Sequence, residues 1–254
     1  MPEIFTLTLI SGIFVAAASG FVGSFLVLRR MTLLSDALSH VALPGIALGV
    51  LFNFQPLLGG LTFLFLAALT IWAIEHKTKL AVESITGVLF VTALAAGALL
   101  IPQSDLLEAF FGSVERATPA AMLLQTAIAA AVITLTAYYL KPLLISSIAP
   151  DLSIAAKFSH AKMELLLLIL IALTTAIGVS FVGVLLMSAL SIIPAVTARN
   201  LSKNYKTFLS LSIALAIVSL VGGLLVAQSY AVTPGIATVF IAAFFFAVSL
   251  FGKK

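Results

Sequence analysis

Apolar stretches about as long as a lipid bilayer is thick follow one another along almost the whole chain, separated by short polar connections. A helix needs roughly 20 apolar residues to cross a hydrocarbon layer about 30 Å thick. By that measure the sequence predicts spans near residues 4–28, 33–52, 57–75, 80–101, 118–140, 162–180, 182–197, 207–229 and 233–251. The region 162–197 is too long for one crossing and short for two. Gly178, Gly183 and Pro194 punctuate it, so the expectation is one full helix followed by a short or broken one. Composition agrees: 62% of residues are hydrophobic and 9% are charged, where a soluble domain carries about 25% charged residues. No soluble fold of this size has enough interior to hide that much apolar surface. The predicted fold class is all-α: a polytopic integral membrane protein with eight to nine transmembrane helices, one short or broken near 182–197, solvated by the lipid bilayer.

Charge sets the parity of the crossings. With the N-terminus outside and spans alternating, Arg29, Arg30, Lys77, Lys79, Lys141, Lys157, Lys162, Arg199, Lys203, Lys206, Lys253 and Lys254 all fall on the cytoplasmic side, leaving Arg116 outside. Merging 162–197 into one crossing would put the last five of these cations outside, so that version is rejected; a re-entrant loop that returns the chain to the same side also keeps the parity. The net charge of +4 therefore reads as topology signal and not as a nucleic-acid surface. Met1-Pro2-Glu3 lacks a basic n-region, and the apolar stretch behind it is too long for a signal-peptide core, so it is expected to be the first span. With no cysteine, disulfide frameworks, Cys-ligated zinc and thiolate chemistry are excluded.

Two local patterns stand apart from the spans. Residues 103–112 form an amphipathic stretch on the outer face, either an interfacial helix or a docking surface for a partner. Residues 87–94 and 183–190 look alike, but in so restricted an alphabet this does not establish a repeat.

Most charges sit at span ends, where long side chains reach water and need no functional explanation. Asp36 and His40 do not fit that account. Counting from Arg30 at 1.5 Å per residue, they lie roughly 9 and 15 Å into the second span. A carboxylate at the centre of a lipid-facing helix costs on the order of 2.5–3.5 kcal/mol, so such residues face a cavity or a partner. At i and i+4 they share one helix face, offering an oxygen and an imidazole nitrogen to one point in space. That donor pair suits zinc, manganese or iron(II). It suits copper(I) poorly, because there is no cysteine and the five methionines are scattered. The competing reading is that the two simply hydrogen-bond each other. Burial within a membrane span favours the ligand reading, and so does Pro44-Gly45, because a proline there frees a backbone carbonyl near the pair.

Glu83, a few residues inside the fourth span, is either a helix N-terminal acid or a member of the ion path. Glu164 is similarly shallow. His76 and His160 are expected in cytoplasmic loops, and Trp72 and Tyr138-Tyr139 as interfacial anchors. There is no phosphate-binding P-loop, because Gly252-Lys253-Lys254 lacks the preceding glycine and the hydroxyl residue; any ATP used would have to be hydrolysed by another chain. HExxH and GxSxG patterns are also missing from the sequence.

The run from Arg29 to Gly45, Arg-Arg-Met-Thr-Leu-Leu-Ser-Asp-Ala-Leu-Ser-His-Val-Ala-Leu-Pro-Gly, resembles the signature of the zinc/manganese/iron family of ABC-importer permeases. Phe111-Gly112, Pro150-Asp151, and Phe181-Val182-Gly183-Val184-Leu185-Leu186 leading to Ile193-Pro194-Ala195-Val196-Thr197-Ala198-Arg199 resemble it too, in order over essentially the whole chain. The resemblance implies a single permease domain over 1–254 in a bacterial-type cytoplasmic (inner) membrane. It implies a homodimer sharing one central path, two cytoplasmic ATP-binding cassette subunits and an extracytoplasmic metal-binding protein. Zinc, manganese or iron(II) would be the transported substrate, with no permanently bound cofactor. A coupling element from Pro194 to Lys206, including Arg199 and Lys203, would dock on the ATPase. A proton-coupled secondary metal transporter is the rival reading, since it would also place an Asp-His pair at mid-membrane. An intramembrane metalloenzyme needs more ligands than one histidine supplies.

Overall fold

A computed structural model describes residues 2–100, 118–149, 151, 158–230 and 232–252. The amphipathic stretch 103–112 with Phe111-Gly112, and Arg116, Pro150, Lys157, Lys253 and Lys254, lie outside the described residues. The described residues form helices and no strand. In chain order these are α1 (Pro2–Leu28), α2 (Thr32–Leu51), α3 (Pro56–Thr78), α4 (Val82–Leu100), α5 (Pro119–Tyr138), α6 (Leu140–Ile148), α7 (His160–Val182), α8 (Val184–Leu201), α9 (Tyr205–Tyr230) and α10 (Pro234–Phe251). Eight are long and apolar enough to cross a membrane, and Leu186–Leu201 within α8 is a shorter apolar segment.

The ends follow local chemistry. Pro56, Pro119 and Pro234 each open a helix, where their missing N–H costs nothing. The Thr118 hydroxyl accepts from the Ala121 amide at 3.3 Å and the Ser159 hydroxyl from the Lys162 amide at 3.4 Å, capping α5 and α7. Gly183, at φ 85° and ψ 165°, joins α7 to α8 in a single residue, in a backbone region that L side chains rarely adopt. The short helix α6 was not expected: the fifth predicted span ran to residue 140, but the helix breaks at Tyr139 and resumes, with Leu143 and Ser146 buried. Gly87 lies inside α4 and Gly183 between two helices, so the two similar octapeptides occupy unlike places.

Hydroxyls facing outward are satisfied by their own helix. Thr92, Thr134 and Ser229, all exposed, donate to the carbonyls of Val88, Ala130 and Leu225 four residues back, as a lipid-facing surface requires. Burial separates inner from outer helices. The most apolar windows of α1, α2 and α7 are 72–78% buried, those of the other five long helices 28–39%. Helix α1 packs on α5, α7, α8 and α9; α2 lies among α3, α4 and α8.

The basic helix ends gather at one end of the bundle. Arg29, just past α1, donates to the hydroxyls of Ser146 (2.8 Å) and Ser147 (3.1 Å) in α6. Trp72 Nε1 near the end of α3 donates to the Ala161 carbonyl at the start of α7, at 3.0 Å; it is a tie between helices, where the sequence had suggested an interfacial anchor. Arg199 in the last turn of α8 donates to the Val27 carbonyl at 3.3 Å, and Asn200 to Ser249 of α10 at 3.1 Å. Helix α7 therefore starts at this end and α8 finishes at it. The region 182–197 brings the chain back, as the charge parity needs.

Small residues let the inner helices meet. A Cβ on Gly45 of α2 would run into the carbonyl oxygen of Gly59 in α3, and one on Gly59 into that of Gly45; close backbone approach of this kind is how helices associate in lipid. Gly45→Val is expected to lower stability by about 1–3 kcal/mol through overpacking. Gly87→Ala, where an added Cβ meets nothing within 4 Å, is expected to raise stability by up to about 1 kcal/mol, glycine being the poorer helix former. Thermal unfolding of both variants in one detergent checks the contrast; equal melting would refute the contact.

Candidate metal site

Helix α2 buries most of its length, from Leu34-Ser35 through Ala37 to Gly45. Asp36 is half-buried on it and His40 is 7% exposed. The His40 ring stands edge-on to Phe90 of α4, with centroids 5.0 Å apart and planes at 79°. Its Nδ1 is buried without a hydrogen-bond partner. Among the described residues no hydrogen bond joins Asp36 to His40, so the pair is not the mutually bonded couple that the competing reading required.

An unpartnered buried polar atom costs about 1–3 kcal/mol. Two of them lie where α2 and α4 meet: His40 Nδ1, beside Phe90, and Thr86 Oγ1, one turn before Phe90; Ser35 Oγ on α2 is also unpartnered. Pro44, inside α2, has no N–H to offer the carbonyl of His40 one turn back. The seam thus holds a carboxylate, an imidazole nitrogen and a weakly engaged carbonyl on successive turns, a donor set suited to a divalent cation passing between helices.

Glu83 does not join this set. It is exposed in the first turn of α4. The coupling candidates lie at the basic end. Pro194 is buried within α8, Arg199 is exposed in its last turn, and Lys203 is exposed in the connection to α9.

Sequence reasoning missed a buried polar network at that same end. Arg29, expected to reach water, is buried against Glu164, their charged atoms 3.7 Å apart with side chains 6% and 8% exposed. Burial lowers the pKa of the Arg29 guanidinium, and Glu164 and then Glu75 oppose that. His76 and His160 are not in loops: His76 lies in the last turn of α3, and His160 is the first residue of α7, its Nδ1 2.8 Å from Ser146 Oγ. The sequence signal for it was a glutamate two residues inside a predicted span.

The family profile described as ABC 3 transport family matches residues 1–253. Over 259 residues the chain is 28% identical to the high-affinity zinc uptake system membrane protein ZnuB of Haemophilus influenzae, covering 100% of this chain and 99% of that one. It is 32% identical over 247 residues to the manganese import system permease protein ScaB of Streptococcus gordonii, covering 96% and 89%. The solved structure described as PsaBC from Streptococcus pneumoniae in complex with Fab superimposes with a TM-score of 0.85 at 31% identity, over 96% of this chain and 90% of that one.

Breaking a buried ion pair from one side leaves an uncompensated charge. Arg29→Ala is therefore expected to cost about 3–5 kcal/mol, whereas Arg199→Ala, at an exposed position, should stay within about 1 kcal/mol. Denaturant titration of the detergent-solubilised chain measures both, and equal losses would contradict the burial assigned to Arg29.

Proposed function

The chain belongs to the ABC 3 transport family, and from that premise we propose that it is the membrane-spanning permease of an importer carrying a divalent transition-metal ion into the cytoplasm, driven by ATP hydrolysed on separate subunits. The observation that carries the cargo assignment is His40: a buried imidazole with an unpartnered Nδ1, one turn from Asp36 on the same membrane helix. The relatives described above carry zinc and manganese in their names, and we take the cargo to be one of these two; nothing in the comparisons speaks for iron.

In this reading the permease works as a homodimer in a bacterial inner membrane, with an extracytoplasmic metal-binding protein on one side and ATP-binding cassette subunits on the other. Two Asp36-His40 pairs across a shared path would supply four protein ligands. Such a site is open enough to release its ion, as transport demands. An ion between Asp36 and His40 offsets the cost of a carboxylate in the span and suppresses protonation of both groups. The N-terminus is outside and the basic end of the bundle is cytoplasmic, so Pro194, Arg199 and Lys203 face the ATPase.

Asp36→Asn keeps the shape and removes the charge, while His40→Ala removes the nitrogen donor. Each is expected to cut uptake of radiolabelled zinc or manganese by at least about 10–100-fold, the loss that changes to even outer-shell partners of metal ligands produce. Membrane insertion and ATPase association should persist. Transport at the unmodified rate in both variants would make the pair structural and move the ion path elsewhere.

Orientation and docking are tested together, because the chain has no cysteine of its own. A single Lys203→Cys is expected to react with a membrane-impermeant maleimide in inverted vesicles and not in intact cells, and to be shielded when the ATPase subunits are bound. Labelling of intact cells would reverse the orientation, and unchanged reactivity with the ATPase present would remove Lys203 from the docking surface.

A further inference from the structure

At the basic end of the bundle, the last turn of α3 and the first turns of α7 bring together Glu75, His76 and Glu164. One potential ligand atom from each lies within 4.8 Å of the other two. Donors on opposite sides of a zinc or manganese ion sit roughly 4 Å apart, given bonds of about 2.1 Å, so small side-chain adjustments would close the set on one ion. These residues line a cavity of about 320 Å³, together with Lys79 and His160. Neither Asp36 nor His40 borders it.

Charge and satisfaction both point to a ligand. Glu164 is buried, and its one ion pair among the described residues, with Arg29, spans a loose 3.7 Å. Glu75 Oε2 is buried with no hydrogen-bond partner. Two carboxylates held this close need a proton or a cation between them; Arg29 offers its charge to Glu164 from 3.7 Å, but its hydrogen bonds go to Ser146 and Ser147. Lys79 borders the cavity but forms no ion pair with either glutamate. The His76 ring lies 5.0 Å from that of Trp72, and Trp72 in turn bonds to Ala161 of α7, so the imidazole is held on the side where the two helices meet. Two carboxylates and an imidazole form a mixed hard and borderline donor set, which suits manganese or zinc better than calcium or copper(I).

We propose that Glu75, His76 and Glu164 form a second divalent transition-metal site, bridging α3 to α7 at the basic end of the bundle and separate from the Asp36-His40 pair. It requires no ligand from a second copy of the chain and does not depend on which residues carry the transported ion. An ion there adds a link between two helices already joined at this end by the Trp72–Ala161 hydrogen bond, so occupancy stiffens the mouth of the bundle.

The test uses the full chain in nanodiscs of zwitterionic lipid, with Asp36→Asn and His40→Ala already introduced, and Mn²⁺ alone as the probe. Loss of the free-ion electron paramagnetic resonance signal counts bound manganese, and pulsed measurement of the bound ion detects a coordinated imidazole nitrogen. One manganese per chain with a nitrogen ligand is expected. Adding His76→Ala, at an exposed position that folding tolerates, should abolish the nitrogen signal and weaken binding at least tenfold, and Glu75→Gln should remove the bound ion. No bound manganese in the parent variant would overturn the proposal in favour of a proton shared by Glu75 and Glu164. Bound manganese unaffected by His76→Ala and Glu75→Gln would overturn it as well. Either result leaves the Asp36-His40 assignment standing, since that rests on uptake by the separate variants.

Discussion

A backbone amide in hydrocarbon has no water to turn to, and this constraint governs the rest of the structure. It forces the chain into helices, whose internal ladders satisfy every amide they can. It makes exposed threonines and serines donate to their own helix, as Thr92 and Thr134 do. It also removes the hydrophobic drive for helices to associate, since lipid is as apolar as their side chains, and leaves packing and interhelical hydrogen bonds to do so. Gly45 against Gly59 is one such contact. Ser212 donating to the Gly20 carbonyl at 2.7 Å, and Ser11 paired with Thr126 at 2.8 Å, are others, tying α9 and α5 to α1.

Under the same constraint an unsatisfied polar atom becomes informative. Ordinary helix packing explains the apolar faces of α2 completely, yet does nothing for the buried nitrogen of His40 or the hydroxyls of Ser35 and Thr86. A soluble protein leaves such atoms to water. Along a membrane path the species that must be solvated is the cargo, and atoms left without partners are those free to solvate it in passing. A permeation site differs in this from a structural metal site, which closes all its ligands on one ion.

The spans were legible because their signal is local: length and apolarity decide them, and prolines and cations mark their ends. That Asp36 and His40 share one face of α2 was legible for the same reason, since the i, i+4 relation needs no knowledge of neighbouring helices. What escaped was set by contacts between distant segments. Nothing around Arg29 announces that it is buried, because Glu164, Ser146 and Ser147 reach it through three-dimensional packing. Glu83 could be read from the sequence as a helix N-terminal acid or as a member of the ion path, and the packing leaves it exposed in the first turn of α4. His76 and His160 looked like loop residues because helices α3 and α7 extend past their apolar cores, which hydropathy does not see.

Helix α8 connects these parts. It packs along α2, which carries Asp36 and His40, and along α1, α9 and α10. Its last turn presents Arg199 and leads to the exposed Lys203, while Arg199 also holds the Val27 carbonyl at the end of α1. At its other end, Gly183 sets a sharp joint to α7 that only glycine adopts without strain. In the reading proposed above, a displacement applied at Arg199 and Lys203 would have a single helix to cross before it reached α2 and the Asp36-His40 pair. Pro194 lies within that helix, about two turns before its end at Leu201, where its missing N–H loosens the ladder. Pro44 sits correspondingly one turn beyond His40 in α2, so the two helices that pack between Arg199 and His40 each carry a proline that weakens the ladder and favours bending there.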